Sequence, residues 1–132
     1  MPTTFQKLAP VLLVPEIAPC LPFWTERLGF QQVAEVPGPD GAAQFSMLIK
    51  DGVEVMYQTW ASVERESPEA ARGARGHSIA LYIDVADLDE VDRALAGIPR
   101  VADRKRTFYG TEEFTVREPA GNPVTFAMRV ED

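Results

Sequence analysis

The chain has 132 residues, with a hydrophobic share of 45% and a charged share of 25%, as expected for one globular domain. Thirteen Lys and Arg residues face twenty Asp and Glu residues, which gives a formal net charge of −7. This charge excludes the basic surface that nucleic acids need, and no apolar run is long enough to cross a bilayer. The single cysteine, Cys20, excludes an internal disulfide. Together with the absence of an apolar signal segment at the start, it favours the cytoplasm.

The first repeat, about residues 8–59, reads as a strand, a helix and three further strands. The opening strand is the apolar run at 11–14, and apolar residues at helical spacing then predict a helix that ends at Gly29. The stripe of this helix comprises Ile17, Leu21, Trp24 and Leu28. Turn residues separate three further strands, expected at about 30–36, 43–49 and 53–59.

The stretch 61–76 is charged, small and uneven, and it predicts a mobile linker with a single helical turn in it. The second repeat, about 77–129, then follows the same order as the first. It starts with a strand at 79–83 and a helix whose stripe is Leu88, Val91 and Leu95, and continues with strands at about 99–106, 111–118 and 123–129. The sequence therefore predicts an α+β domain of tandem βαβββ repeats, in which curved mixed sheets surround a cavity and the helices cover the outer face.

Side chains alternate along a strand, so one parity is expected to face the cavity and the other to form the core. The predicted cavity residues are Gln44, Ser46, Leu48, Glu54, Met56, Gln58, Glu113, Thr115, Arg117, Pro123, Thr125 and Ala127. The predicted core residues are Phe45, Met47, Val55, Tyr57, Phe114, Val116, Val124 and Phe126, packed beneath Trp24 and the second helix. This split favours a ligand-sized, partly polar pocket over a filled barrel.

Two aromatic residues and two carboxylates meet at a glycine turn in residues 107–113. Phe108 and Tyr109 can stack on a flat cationic ligand while Glu112 or Glu113 pairs with its charge. The same residues also fit an aromatic hairpin tip with solvated acids, and the sequence leaves both interpretations open. Trp60, just after the fourth strand, either rims the same pocket or anchors the linker.

Residues 23–30, FWTERLGF, and 114–126, with a Phe-x-Val-Arg-x-Pro-x-Gly-Asn turn, carry a family resemblance. They resemble the vicinal oxygen chelate superfamily of glyoxalases, dioxygenases and bleomycin-resistance proteins, and the second segment is most like the bleomycin-resistance proteins. The resemblance covers almost the whole chain. It implies the tandem βαβββ fold and a homodimer, but it leaves the chemistry open because this fold hosts several activities.

Metal-using members of the superfamily place a His or Glu on four strands. The matching positions of this chain are Ala9, Met56, Ala80 and Thr125, which are poor ligands for a hard cation. The resemblance thus implies no metal and no other cofactor. His77 and Glu54 are the outside candidates for a metal ligand, and His77 is also open to interpretation as a polar residue at a loop–strand junction.

Three functions follow from these observations. The first, which we expect, is a metal-independent binding protein that sequesters a cationic or neutral, partly planar molecule, such as an antibiotic, without altering it. Its expected site has no catalytic residue; the ligand-binding residues are Gln44, Ser46, Glu54, Met56, Gln58, Trp60, Phe108, Tyr109, Glu113, Thr115, Arg117 and Thr125. The alternatives are a metal-dependent glyoxalase or dioxygenase, and a metal-free enzyme that uses Tyr109, Glu113 or His77 as acid or base.

Overall fold

The computed structural model describes residues 2–72 and 79–131, and over these residues eight strands form two four-stranded sheets. The first sheet has the order β1-β4-β3-β2, with β1 (Val11–Val14), β2 (Gln31–Pro37), β3 (Ala43–Lys50) and β4 (Val53–Thr59). The second has the order β5-β8-β7-β6, with β5 (Leu81–Asp84), β6 (Arg100–Arg106), β7 (Thr111–Arg117) and β8 (Pro123–Arg129). In both, the first strand runs parallel to the last and the other pairs are antiparallel, which confirms the tandem βαβββ fold.

The helical segment of the first repeat is irregular, contrary to the single helix predicted. A 3₁₀ turn at Ala18–Cys20 is followed by a π-helical stretch at Phe23–Arg27. Pro19 and Pro22 account for this break because proline supplies no N–H to a helix interior. The apolar stripe nevertheless reaches the core, where Trp24 has no exposed surface.

Two short helices occupy part of the predicted linker, so the expectation of a single helical turn there is wrong. They are α1 (Trp60–Glu66) and α2 (Pro68–Ala71). Thr59 ends β4 and caps α1, because its side-chain oxygen accepts a hydrogen bond from the Ser62 amide at 3.2 Å. In the second repeat Asp87 caps α3 (Leu88–Ala94), because its side-chain oxygen accepts a hydrogen bond from the Glu90 amide at 3.3 Å. Among the described residues, no helix is long and apolar enough to span a membrane.

The core joins the two repeats through a buried chain of hydrogen bonds. The Trp24 indole donates to the Tyr57 hydroxyl at 2.8 Å, and that hydroxyl donates to Glu118 Oε2 at 2.5 Å. Trp24 and Tyr57 belong to the first repeat and Glu118 to the second. The predicted core residues on β4, β7 and β8 are all buried: Val55, Tyr57, Phe114, Val116, Val124 and Phe126.

The predicted face of β3 is wrong by one residue. Ser46 pairs with Tyr57 and Leu48 with Val55, so Ser46, Leu48 and, by alternation, Gln44 lie on the core side. Phe45 and Met47, predicted to be core, lie on the other face. The β7–β8 turn has one residue more between Glu118 and Asn122 than the β3–β4 turn has between Lys50 and Val53. Such a one-residue difference between repeats reverses the face of every side chain on one strand.

Candidate functional site

The face of each sheet that points away from the core is called here its open face. On the first sheet the open face carries Val11, Leu13, Phe45, Met47, Ile49, Glu54, Met56 and Gln58. On the second it carries Tyr82, Glu113, Thr115, Arg117, Pro123, Thr125 and Ala127. The first is therefore mainly apolar, and the second mainly polar.

Glu113 lies at the centre of a hydrogen-bonded cluster on the second open face. The Tyr109 hydroxyl donates to Glu113 Oε1 at 2.7 Å, and the Tyr82 hydroxyl donates to Oε2 at 2.8 Å. The Thr111 hydroxyl also donates to Oε2, at 3.0 Å. Only 7% of Glu113 is exposed. These three side chains and Glu113 are called the Glu113 cluster below.

The hairpin between β6 and β7 brings Tyr109 to this carboxylate. Thr107 and Thr111 close the hairpin, since the Thr107 amide donates to the Thr111 carbonyl at 2.8 Å and the Thr111 amide to the Thr107 hydroxyl at 3.1 Å. Gly110 completes the turn with a φ of 89°, which favours glycine. Phe108 is fully exposed beside Tyr109, with the ring centroids 5.1 Å apart.

The cluster keeps a negative charge beside two neutral phenols. Burial raises the pKa of the Glu113 carboxyl, but the hydrogen bonds from Tyr109, Tyr82 and Thr111, with the charge of Lys105, outweigh burial and lower the pKa below its ordinary value. The hydrogen bond to Glu113 is the main cause that raises the pKa of Tyr82 and of Tyr109. At neutral pH Glu113 is therefore ionised, and both tyrosines act as donors.

The sequence analysis does not identify Tyr82 as a site residue. Tyr82 can be assigned to the site only when β5 is known to pair with β8, because this pairing places Tyr82 beside Thr125 on the open face. That parallel pairing joins residues far apart in the chain. The Tyr82 side chain then reaches past β8 to Glu113 on β7.

The remaining predicted residues of the second sheet lie on the same face but bind elsewhere. The hydroxyls of Thr115 and Thr125 are 2.7 Å apart and share a hydrogen bond. Arg117 is exposed and donates from Nη1 to the Gly121 carbonyl at 2.8 Å. Its guanidinium is thus held at the turn that follows β7, away from Glu113.

The predicted residues of the first sheet do not join the Glu113 cluster. Glu54 pairs with Lys7, and Gln58 donates to the Ser62 hydroxyl at 3.0 Å, while Met56 lies between them on the open face of β4. Gln44 and Ser46, on the core side of β3, bind other residues: Gln44 accepts from Arg65 at 2.5 Å, and Ser46 accepts from Gln32 at 2.7 Å.

Two clefts lie at the seam between the repeats, and neither is lined by a residue of the Glu113 cluster. The larger, about 750 Å³, runs between β1 and the β7–β8 turn, and Trp60 lines it together with Cys20. Burial, followed by the charges of Glu118 and Glu16, raises the pKa of the Cys20 thiol to about 11. The second cleft, about 460 Å³, lies at the opposite end of the seam, where α3 faces the β3–β4 turn. Trp60 is therefore part of the seam and not of the Glu113 cluster.

The donors on the open faces do not fit a divalent cation. Glu54 is already paired with Lys7, and both oxygens of Glu113 accept hydroxyl hydrogens. Within residues 2–72 and 79–131, no group of three His, Cys, Asp or Glu side chains is placed to hold a metal. His77, the outside candidate for a ligand, lies outside the described residues.

A comparison with protein families shows the family to which this chain belongs. The family model described as "Glyoxalase/Bleomycin resistance protein/Dioxygenase superfamily" matches residues 7–126. A comparison with curated proteins finds no match.

Solved structures share the fold at low sequence identity. TioX from Micromonospora sp. ML1 is 19% identical with a TM-score of 0.75, covering 96% of this chain and 100% of its own. A glyoxalase/bleomycin resistance protein/dioxygenase from Nocardioides is 11% identical with a TM-score of 0.75, covering 99% and 87%. Lactoylglutathione lyase from Agrobacterium tumefaciens is 17% identical with a TM-score of 0.72, covering 96% and 95%. These similarities establish the fold and leave the ligand open.

Proposed function

The chain belongs to the Glyoxalase/Bleomycin resistance protein/Dioxygenase superfamily, and we propose that it is a metal-independent member that binds a small cationic, partly aromatic molecule. The observation that carries the proposal is the Glu113 cluster, in which one ionised carboxylate lies between two tyrosines on the second open face. Sequestration of such a compound, for example an antibiotic, is the proposed role.

A cation is favoured by the charge and by the exposed rings. About half of Tyr82 and of Tyr109 is exposed, at 52% and 49%, and Phe108 beside them is fully exposed. Aromatic faces attract cations, and the carboxylate below them supplies a full negative charge. The net charge of −7 adds a long-range field of the same sign.

Binding without reaction fits the protonation states of the cluster. A general base needs an unprotonated phenol, or a carboxylate whose pKa is high enough for it to take up a proton readily. The raised pKa of both tyrosines keeps them protonated, and the lowered pKa of Glu113 makes its carboxylate a weak base. The cluster is therefore better suited to holding a cation than to removing a proton.

We also propose that two copies form a homodimer that covers the open faces. In the single chain these faces leave large side chains partly exposed, including Val11 and Tyr82. An isologous dimer would close a cavity over each face. Light scattering at micromolar concentration should give a mass near twice 14.6 kDa, and a monomeric mass would rule this arrangement out.

Isothermal titration calorimetry tests the ligand class. A panel of aromatic amines, neutral planar compounds and small dicarboxylates is titrated into the wild-type chain and into Glu113→Gln and Arg117→Ala. We expect the amines to bind the wild-type chain and Arg117→Ala, and to bind Glu113→Gln more weakly. We also expect each amine to be chemically unchanged after it is released from the protein. Tight binding of a dicarboxylate that is lost in Arg117→Ala, with no amine binding, would contradict the proposal, as would turnover or a stoichiometric metal in the purified protein.

A further inference from the structure

The Glu113 carboxylate has a single hydrogen-bond position left. A carboxylate offers about four lone-pair positions, two on each oxygen. Oε2 accepts from Tyr82 and Thr111, so both of its positions are taken. Among residues 2–72 and 79–131, Tyr109 is the one donor to Oε1. The open position is therefore on Oε1.

No neighbouring cation of the described part of the chain takes that position. Lys105 stands opposite Glu113 on β6, and its charge lowers the pKa of the carboxyl, but it forms no ion pair with Glu113 within 4 Å. Arg117 is bound to the Gly121 carbonyl. The carboxylate thus has a full charge and one lone-pair position that no donor of the described residues fills.

Cationic groups differ in how they meet a carboxylate. A guanidinium or amidinium is a planar fork whose two parallel N–H groups bind both oxygens at once. An ammonium is a compact point charge that binds through one N–H to one oxygen. At Glu113 the fork would have to displace Tyr82 or Thr111 from Oε2, whereas the ammonium can bind Oε1 with all three hydroxyls in place.

We infer that the site selects an aromatic ammonium compound and discriminates against amidinium and guanidinium compounds of the same size. This inference rests on the proposed function and names the ligand class of the same site. The aromatic part of the ligand packs against the half-exposed rings of Tyr82 and Tyr109, and its nitrogen donates to Oε1 of Glu113.

Benzylamine and benzamidine form the matched pair of probes, because both are small aromatic cations at neutral pH. Calorimetric titration of the wild-type chain should show benzylamine binding at least about tenfold more tightly, the equivalent of one charge-assisted hydrogen bond. The inference is overturned if benzamidine binds as tightly as benzylamine or more tightly. If both probes then lose affinity for Glu113→Gln, the proposed function still stands. If neither probe binds, the proposed function fails as well.

Two Tyr→Phe substitutions distinguish the effect of an open position on one particular oxygen from a nonspecific effect of removing a hydroxyl. Tyr82→Phe frees one position on Oε2, so that each oxygen has one open position and the amidinium fork can bind; benzamidine should gain relative to benzylamine by about tenfold. Tyr109→Phe is the control, because it frees a second position on Oε1 while Oε2 stays filled. A gain for benzamidine in both variants, or in neither, would overturn the inference.

Discussion

Glu113, within β7, and Glu118, directly after it, are both buried carboxylates, and they are held by different kinds of donor. Glu118 is 1% exposed and Glu113 is 7% exposed. Each oxygen of Glu118 accepts a backbone amide, from Ala120 at 2.8 Å and from Asn122 at 3.1 Å, and one accepts the Tyr57 hydroxyl. Glu113 is held by three hydroxyls. Backbone donors fix the first carboxylate to its turn, whereas the three hydroxyls leave one lone-pair position of the second open to a ligand.

The surroundings of the two carboxylates match this difference. Glu118 lies at the seam, where Tyr57 and Trp24 extend its hydrogen bonds into the core of the other repeat. Glu113 lies on an open face beneath exposed aromatic rings. The two carboxylates are thus alike in burial, and it is the half-exposed tyrosine donors that distinguish Glu113 from Glu118.

The largest effect on stability is expected at Trp24, which starts the buried chain of hydrogen bonds that leads through Tyr57 to Glu118. Trp24→Ala should lower the free energy of unfolding by about 3–5 kcal/mol, since it removes a fully buried indole. The indole packs against Phe23 and Phe30 with centroids 5.1 and 5.0 Å apart and donates to Tyr57. Urea denaturation measures the loss. A variant as stable as the parent would mean that the seam does not depend on this side chain.

The same substitution at both glutamates compares the two regions directly. Glu118→Gln should cost about 1–3 kcal/mol of unfolding free energy, because either orientation of the amide turns its NH₂ group toward a backbone N–H. Those N–H groups belong to Ala120 and Asn122.

Glu113→Gln should cost less than about 1 kcal/mol, since the hydroxyls around it can rotate to accept from the new NH₂ group. Thermal melts of the two variants measured side by side decide the matter. Equal losses would show that the kind of donor does not matter.

The pH dependence of stability gives a further test at Glu113. The folded pKa of Glu113 lies below its ordinary value of 4.5, so the stabilisation it provides is complete above about that pH and is lost as the pH falls through the lowered pKa. The stability difference between the parent and Glu113→Gln should therefore shrink on acidification below about pH 4.5. Melting curves collected from neutral to acid pH measure it. A difference that grows toward low pH would contradict the assigned direction of the shift.

The smallest effect is expected at Arg117, which the sequence also assigns to the site. Arg117→Ala should change the unfolding free energy by less than about 0.5 kcal/mol, because the side chain is exposed and its hydrogen bond goes to its own turn at Gly121. A chemical denaturation curve that coincides with the parent's would bear this out. A clear loss of stability would mean that the turn after β7 depends on this contact.

Alternation of side chains along a strand predicts the open face of the second sheet correctly, since Glu113, Thr115 and Thr125 lie on one side of it. The same rule failed for Ser46, since the face of β3 depends on a turn that differs by one residue between the repeats. Tyr82 could not be assigned because the parallel pairing of β5 with β8 is non-local. Sequence periodicity thus gives the repeats and their strands, while turn lengths and distant pairings decide which side chains meet.

The central claim is that Glu113 anchors the ligand and Glu118 anchors the fold. Benzylamine titrated into Glu113→Gln and Glu118→Gln, at a temperature where both variants remain folded, tests it most directly. We predict that binding is lost in Glu113→Gln and is retained in Glu118→Gln at about the affinity of the parent. Retained binding in Glu113→Gln, or an equal loss in both variants, would contradict the account.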